Sequence, residues 1–253
     1  MLILKTYLLL FLAILSGINE VFAQQMEGTV TYERIYRWSR IYSRLDYLSQ
    51  EEKDRIKLTW GNDDENKTNM KLFFTPTRSK YSYESEQGVS DDGRYSWRQD
   101  EFQIFRDFEQ EKKTELIEML GKTYIIEDSL QAPKWKVMNQ IKDVNGHVCM
   151  LAVTEDTIKK QQVKAWFAHD LPVPAGPEQY FGLPGLIMEL DINDGDVVIT
   201  AIKVELKPVG EEINLPKKMK GRKLTDKAYR DLINTHIKDS MKAHRNPYWS
   251  MPY

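Results

Sequence analysis

A run of short alternating segments between Met70 and Leu206 is the feature that most constrains the fold of this chain. Apolar, β-branched and aromatic residues alternate there with polar ones, which is the pattern of half-buried strands. The alternation is clearest in the last segment, where lysines and a glutamate point away from the apolar face. The predicted strands cover about 70–75, 78–86, 101–108, 112–119, 122–127, 134–139, 147–154, 162–169, 186–192 and 197–206.

Other elements flank this run. Residues 28–38 alternate like an opening strand, and a polar loop follows at 61–69. Ser49 and Glu52 form a capping box, which predicts a short helix to about residue 57. Thr225 is the predicted N-cap of a helix that continues to about residue 244.

Asn145-Gly146 and Asp194-Gly195 each stand between strand patterns and predict hairpins with type I′ turns, and Asp92-Gly93 is a weaker third case. These hairpins make the predicted sheet mostly antiparallel.

The N-terminal segment reads as a signal peptide. Lys5 precedes a short apolar run, and Val21-Phe22-Ala23 forms a small-residue cleavage site. We therefore predict that residues 1–23 are removed and that a periplasmic or secreted protein remains. Its predicted organisation is a β-rich domain over 24–208, followed by a basic linker and C-terminal helical segment over 209–253. No later run approaches the roughly 20 apolar residues of a membrane-spanning helix.

The composition restricts the classes of function. The formal net charge is −2, with both signs interspersed, so the chain lacks the basic surface that nucleic acids require. Cys149 is the single cysteine, which rules out an intramolecular disulfide. It lies in an apolar strand pattern, where a thiol behaves as a small buried hydrophobe rather than as a nucleophile.

The hexapeptide 182–187 combines a turn with the start of a strand. Pro184 suits the second position of a type II turn, and Gly185 suits the positive φ of the third. We therefore predict a type II turn over residues 183–186 that leads directly into the strand 186–192.

This hexapeptide is similar to the signature of the GLPGLI family, secreted proteins of Bacteroidetes. Trp135, the segment 144–149, Ala165-Trp166-Phe167 and Gly176-Pro177 also resemble the family pattern, in order and spacing, over roughly residues 27–206. The resemblance implies that the protein is exported. It implies no particular activity, because none is established for the family. The strand patterns predict a mainly β fold, and a looser similarity to the curved sheets of outer-membrane lipoprotein carriers implies its shape: a curved antiparallel sheet or incomplete barrel with short flanking helices and a C-terminal helix.

Two interpretations of the aromatic residues remain open. Trp166 points away from Val163, Ala165 and Phe167, so both faces of its strand carry large apolar groups. Either the loop 171–183 or the C-terminal helix covers the second face, or that face lines an apolar ligand groove. The candidate binding residues, from the motif and the aromatic face, are Trp135, Trp166, Gly176, Pro177, Tyr180, Phe181, Gly182, Leu183, Pro184, Gly185, Leu186 and Ile187.

Motifs for catalysis and metal binding are not found in the sequence. The four histidines have no ligand-pair spacing, and the acidic turn 191–196 has the wrong spacing for a calcium loop. We predict no catalytic residue, metal or cofactor. Three tripeptides resemble the Asp, Ser or Thr, apolar pattern that Bacteroidetes use for O-glycosylation, with acceptors at Ser129, Thr157 and Ser240.

The functional hypothesis is a non-catalytic binding or accessory protein of the cell envelope. Its partner would be an apolar ligand, held by the concave face or the loop 171–185, or an outer-membrane protein of the TonB-dependent transporter type, near which such family members are thought to be encoded. One alternative is an envelope hydrolase assembled from scattered residues such as His169, Asp170, Glu189 and Asp191. The other alternative is a purely structural envelope protein.

Overall fold

A computed structural model describes residues 26–60, 64–90 and 93–253 of the chain. Strands account for 45% of it and helices for 18%, which confirms the mainly β class. The predicted signal peptide, residues 1–23, lies outside the described residues.

Fourteen strands and three helices follow one another along the described chain. The strands are β1 (Gly28–Arg37), β2 (Glu65–Phe74), β3 (Arg78–Tyr83), β4 (Gln87–Val89), β5 (Ser96–Arg98), β6 (Phe102–Asp107), β7 (Lys112–Met119), β8 (Lys122–Ser129), β9 (Lys136–Val144), β10 (His147–Asp156), β11 (Gln161–Ala168), β12 (Leu186–Ile192), β13 (Val197–Leu206) and β14 (Arg222–Leu224). The helices are α1 (Trp38–Ser43), α2 (Gln50–Trp60) and α3 (Asp226–Lys242), with short 3₁₀ turns at Glu211–Ile213 and Pro247–Trp249.

Twelve of these strands form one sheet, in the order β14-β8-β7-β6-β3-β2-β1-β13-β12-β11-β10-β9. Neighbouring strands are antiparallel except for β14 and β8, which run parallel. The remaining two, β4 and β5, form a separate hairpin. The sheet is open, since β14 and β9 are its two edges and it does not close into a barrel.

The connection from β8 to β9 requires strong curvature. These strands lie near opposite edges of the sheet, ten strand positions apart. In a flat sheet that separation would be about 48 Å. Only residues 130–135 join them, and six residues span at most about 22 Å. The sheet therefore bends until its edges approach each other. This curvature agrees with the predicted incomplete barrel.

The chain itself fills the middle of the curved sheet. Residues 169–185, which we call the inner loop, connect β11 to β12 and bury Leu171, Val173 and Leu183 almost completely. The Tyr32 hydroxyl of β1 donates to the carbonyl of Ile187 at 2.6 Å, just beyond the loop. Because the loop packs against strands far from it in sequence, it forms part of the core.

The type II turn predicted over residues 183–186 is wrong. Gly185 does not have a positive φ, whereas Gly182 does, at 86°. The amide of Leu186 donates to the carbonyl of Leu171 at 2.8 Å, which ties the loop back onto its own start. A glycine is needed at position 185 because the backbone of Ala168 lies too close for a side chain: a Cβ would overlap the Ala168 carbonyl. The hexapeptide is thus a close-packing motif.

Other local predictions had mixed outcomes. Reciprocal hydrogen bonds between Ser49 and Glu52 confirm the capping box. Asn145 and Gly146 have φ values of 52° and 82°, which confirms their hairpin turn. The hairpin at Asp194-Gly195 is confirmed, but its loop covers residues 193–196 and is not the two-residue type I′ turn. Strand β2 begins inside the predicted polar loop, and β4, β5, β14 and α1 are absent from the predicted elements. The weaker hairpin prediction at Asp92-Gly93 falls between β4 and β5, which pair with each other, although Asp92 lies outside the described residues.

The C-terminal segment returns to the sheet. The predicted cap of α3 is confirmed, since the Thr225 hydroxyl accepts from the Ala228 amide at 3.2 Å. The helix buries Tyr229 and Ile233, and the Tyr229 ring lies 6.4 Å from that of Tyr124 on β8. Residues 245–253, which we call the C-terminal strap, then run back over the open end of the sheet. The segment predicted as linker and helix therefore packs on the main sheet and adds β14 to it.

We expect Gly185→Ala to lower the free energy of unfolding by about 1–3 kcal/mol, because the new Cβ would push β11 and the inner loop apart. Gly121→Ala is the matched control. Gly121 has a φ of 70° and open space around it, so this variant measures the backbone cost alone. Chemical denaturation of both variants is the measurement. A smaller loss for Gly185→Ala than for Gly121→Ala would contradict the crowding.

Candidate functional site

Most of the predicted binding residues belong to the packed interior. Gly176, Pro177, Tyr180, Phe181, Leu183, Gly185, Leu186 and Ile187 are buried, while Gly182 and Pro184 are exposed. The Trp135 indole donates to the carbonyl of Phe181 at 2.9 Å, and its ring lies 6.1 Å from that of Tyr180. Trp135 therefore fastens the inner loop to the segment that crosses between the sheet edges.

Trp166 lies on the outer face of the sheet. Its half-buried ring is covered by Lys142, whose ammonium is 4.5 Å from the ring centroid. Lys142 in turn pairs with Glu189 at 2.6 Å. Lys142 on β9 therefore covers part of this ring. The two interpretations, cover by the loop 171–183 or the C-terminal helix and an apolar groove, stay predictions.

The residues proposed for a hydrolase site have separate partners. Asp170 contacts the His147 ring at 2.7 Å, His169 lies 3.1 Å from the Met150 sulfur, Glu189 pairs with Lys142, and Asp191 accepts from the Gly195 amide at 2.5 Å. Burial raises the pKa of Asp191. The hydrolase alternative stays a prediction, and no contact between these four side chains supports it.

The three candidate glycosylation acceptors differ in exposure. Ser129 at the end of β8 and Thr157 in the β10–β11 turn are exposed. Ser240 is buried on the inner side of α3, so the prediction of a surface site there is wrong for the folded protein. The sequence pattern did not reveal which side of the helix faces the sheet.

A cleft of about 820 Å³ lies at one end of the curved sheet. Its walls come from the end of β1, the start of β2, the end of β3, the β4–β5 hairpin, the start of β6 and the C-terminal strap. None of the candidate binding residues predicted from the sequence lines it. We take this cleft as the candidate functional site.

Aromatic rings form much of the cleft wall. Seven contribute, namely Tyr36, Trp38, Tyr83, Trp97, Phe102, Tyr248 and Trp249. Trp249 of the strap stacks on Trp38 with centroids 4.9 Å apart, and Trp38 stacks on Tyr36 at 5.6 Å. Trp97 and Trp249 remain 50% and 59% exposed. Large aromatic surfaces are therefore available to a ligand on two sides of the cleft.

The β4–β5 hairpin holds Trp97 in place. Gly88 lies opposite it across the hairpin, and a Cβ at Gly88 would overlap the indole ring. Arg98 on the other face of β5 pairs with Glu118 at 2.8 Å, which ties the hairpin to β7. The glycine thus lets the indole lie flat against the hairpin backbone.

Arg34 forms the floor of the cleft and is buried. One guanidinium nitrogen lies 3.2 Å from the Glu178 carboxylate, and the other donates to the Tyr83 hydroxyl at 3.2 Å. Its Nε has no hydrogen-bond partner among the described residues. Burial opposes the charge, but the surrounding Tyr36, Tyr83 and Glu178 raise the pKa of Arg34 above its usual value. The guanidinium therefore stays charged.

Glu178 reaches Arg34 from the inner loop. It has a φ of 52°, an unusual value for a residue with a side chain, and it is buried. Its carboxylate also accepts from the Tyr81 hydroxyl at 3.4 Å, and Arg106 donates to its backbone carbonyl. Burial lowers the pKa of Arg106 to about 10. The pair Arg34–Glu178 links the inner loop to the cleft floor.

The rim of the cleft is polar. Four amide side chains, Asn66, Asn69, Gln87 and Gln99, lie along it. Five acidic residues lie there as well, Glu65, Glu84, Asp100, Glu101 and Glu118, of which Glu65 and Glu118 pair with Arg37 and Arg98. The lining therefore combines a floor at the ion-paired Arg34, aromatic walls and an acidic, amide-rich rim.

The strap that closes one side of the cleft is anchored in the interior. The Tyr253 hydroxyl donates to the carboxylate of the fully buried Asp196 at 2.6 Å, and Arg44 pairs with the same carboxylate. Lys159 donates to the carbonyls of Pro252 and Tyr253 at 3.0 and 2.8 Å. These contacts fix the last residues, and with them Trp249, against the sheet.

Sequence reasoning missed the cleft but had one usable signal. Arg34 falls on the apolar face of the predicted strand 28–38, between Tyr32 and Tyr36. A charged residue at such a position requires a buried partner. No sequence pattern identifies Glu178 as that partner, since it lies 144 residues away.

Within the described ranges, no group of three histidine, cysteine or acidic side chains is placed to hold a metal ion. None of the described helices has both the length and the apolar character needed to cross a membrane.

Comparison with known proteins gives a partial family match. A family model described as a protein of unknown function, Porph_ging, matches residues 99–189, which include β6 to β11 and the hexapeptide. This match is consistent with an uncharacterised family of the expected kind, and it does not test the resemblance to the GLPGLI family. No curated protein matches the chain.

Two solved structures share the fold. PNGF-II in its C2 crystal form aligns with a TM-score of 0.54 and 12% identity, and its P2₁ form aligns with 0.54 and 13%. The alignments cover 82% of this chain but 32% and 33% of those chains, so the chain spans about a third of their length. An uncharacterized conserved protein from Thermus thermophilus aligns with a TM-score of 0.38, 5% identity and coverage of 80% and 91%, which is too weak to support an argument.

We expect Glu178→Gln to lower the free energy of unfolding by about 3 kcal/mol, because it leaves the buried charge of Arg34 without a counter-charge. Asp231→Asn is the matched control, since it breaks the exposed pair with Lys227 and should change stability little. Urea denaturation at neutral pH measures both. Equal effects would show that the pair is not important for folding.

We also expect the Cys149 thiol to be unreactive in the folded protein. It is fully buried, and burial raises its pKa to about 12, so little thiolate exists near neutral pH. The measurement is the labelling rate with a chromogenic disulfide reagent at pH 8, with and without denaturant. Comparable rates under the two conditions would contradict the burial of Cys149.

Proposed function

We propose that this protein is a non-catalytic binding protein of the cell envelope whose ligand occupies the cleft between β1, the β4–β5 hairpin and the C-terminal strap. The observation that carries the proposal is the combination of exposed indoles on two cleft walls with a buried, charged Arg34 at the floor. Pockets that bind small ligands typically pair aromatic walls with a few convergent polar groups, and they have volumes of about 300–1,000 Å³.

The rigidity of the walls also supports binding. Trp249 is held by the anchored strap, Trp97 by Gly88 and the Arg98–Glu118 pair, and Arg34 by Glu178. A preorganised site loses little conformational entropy when a ligand binds. The ligand is therefore amphipathic, and its site is the cleft rather than the loop 171–185, whose apolar side chains are mostly buried.

The compartment and the family are part of the proposal. The signal-peptide pattern over residues 1–23 and the resemblance of the hexapeptide 182–187 to the GLPGLI signature support export to the periplasm or beyond. An outer-membrane transport protein is then a reasonable second partner, to which the bound ligand would be delivered or from which it would be received.

Native mass spectrometry of the protein purified from its own envelope tests this function. We expect extra mass that disappears on denaturation and a released ligand that is chemically unchanged after incubation. Removing both exposed indoles, by Trp97→Ala with Trp249→Ala, should abolish the extra mass. Tyr95→Ala is the matched control, because Tyr95 is exposed in the same hairpin but does not line the cleft.

Three outcomes would overturn the proposal. A chain without bound mass, purified without dialysis, would refute a resident ligand. Bound mass equal to a second protein would favour the partner-binding alternative. A ligand that is converted during incubation would show catalysis.

A further inference from the structure

The lining of the cleft restricts the chemical class of its ligand. We propose that this ligand is a neutral oligosaccharide of roughly two or three sugar rings, the size that a cleft of this volume encloses. The inference rests on the proposed binding function, and three features of the cleft support it: the aromatic walls, the charges and the amides.

The aromatic walls favour a ligand with flat, weakly polar faces. A pyranose ring has such faces, made of C–H groups, and it stacks on an indole while its hydroxyls stay free to hydrogen-bond. Trp97 and Trp249 come from different elements, the β4–β5 hairpin and the strap, and both are about half exposed. Two separated platforms suit successive rings of one chain.

The charge distribution disfavours anionic ligands. Two of the five rim carboxylates already pair with basic side chains, but Glu84, Asp100 and Glu101 have no ion pair among the described residues and would repel an anion. The charge of Arg34 at the floor is balanced by Glu178, so the floor gives an anion little attraction. A neutral ligand avoids the repulsion at the rim.

The polar groups suit hydroxyls. Each amide of Asn66, Asn69, Gln87 and Gln99 offers a donor and an acceptor in one plane, and each carboxylate accepts from hydroxyl donors. A sugar hydroxyl both donates and accepts, so it can satisfy neighbouring groups of either kind. A purely apolar ligand would leave these groups without partners, at a cost in affinity.

Titration with defined trisaccharides tests the ligand class. The probes are cellotriose, mannotriose and triacetylchitotriose, with trigalacturonate as the anionic comparison, and the readouts are tryptophan fluorescence and calorimetry. We expect saturable binding of at least one neutral probe and weaker binding of the anionic one. Trp97→Ala should lower the affinity about tenfold or more, whereas Tyr95→Ala should leave it within about twofold.

Gly88→Ala offers an independent variant. Its Cβ would displace the Trp97 indole without removing it, so affinity should fall while the circular dichroism of the sheet is unchanged. Three results would overturn the oligosaccharide class: no saturable binding of any neutral probe, tighter binding of trigalacturonate, or binding unaffected by Trp97→Ala. If native mass spectrometry then still finds a bound small molecule that depends on Trp97 and Trp249, the binding function stands and only the ligand class is wrong.

Discussion

The buried ion pair between Arg34 and Glu178 is the interaction on which the rest of the structure depends. A guanidinium in the interior is stable only beside a counter-charge and hydrogen-bond acceptors. Glu178 supplies the charge from the inner loop, and the Tyr83 hydroxyl accepts a hydrogen bond. The loop must therefore cross the concave face of the sheet. Arg106 holds the same part of the loop through the carbonyls of Gly176 and Glu178.

This arrangement determines where a ligand can bind. Because the inner loop occupies the middle of the curved sheet, space remains at the end of the sheet beyond Arg34. The C-terminal strap then closes one side of that space with Trp249, and the β4–β5 hairpin closes another with Trp97. The hexapeptide 182–187 contributes indirectly, since it lets the loop pack tightly enough for Glu178 to reach the floor.

The proposed ligand class follows from the same geometry. Glu178 balances the charge of Arg34 at the floor, and the carboxylates lie at the rim, so the cleft does not attract an anion. Aromatic platforms and planar amides remain as the main recognition groups.

The sequence by itself determined the mainly β class, most of the strands, the capped helices at Ser49 and Thr225 and the hairpin at Asn145-Gly146. These depend on local periodicity and on backbone preferences, which a short window of residues contains. It misassigned Gly185, because close packing against Ala168 involves a different strand. Only the tertiary structure decided the cleft, since Arg34, Glu178, Trp97 and Trp249 come from four distant segments and their meeting depends on how the whole sheet curves.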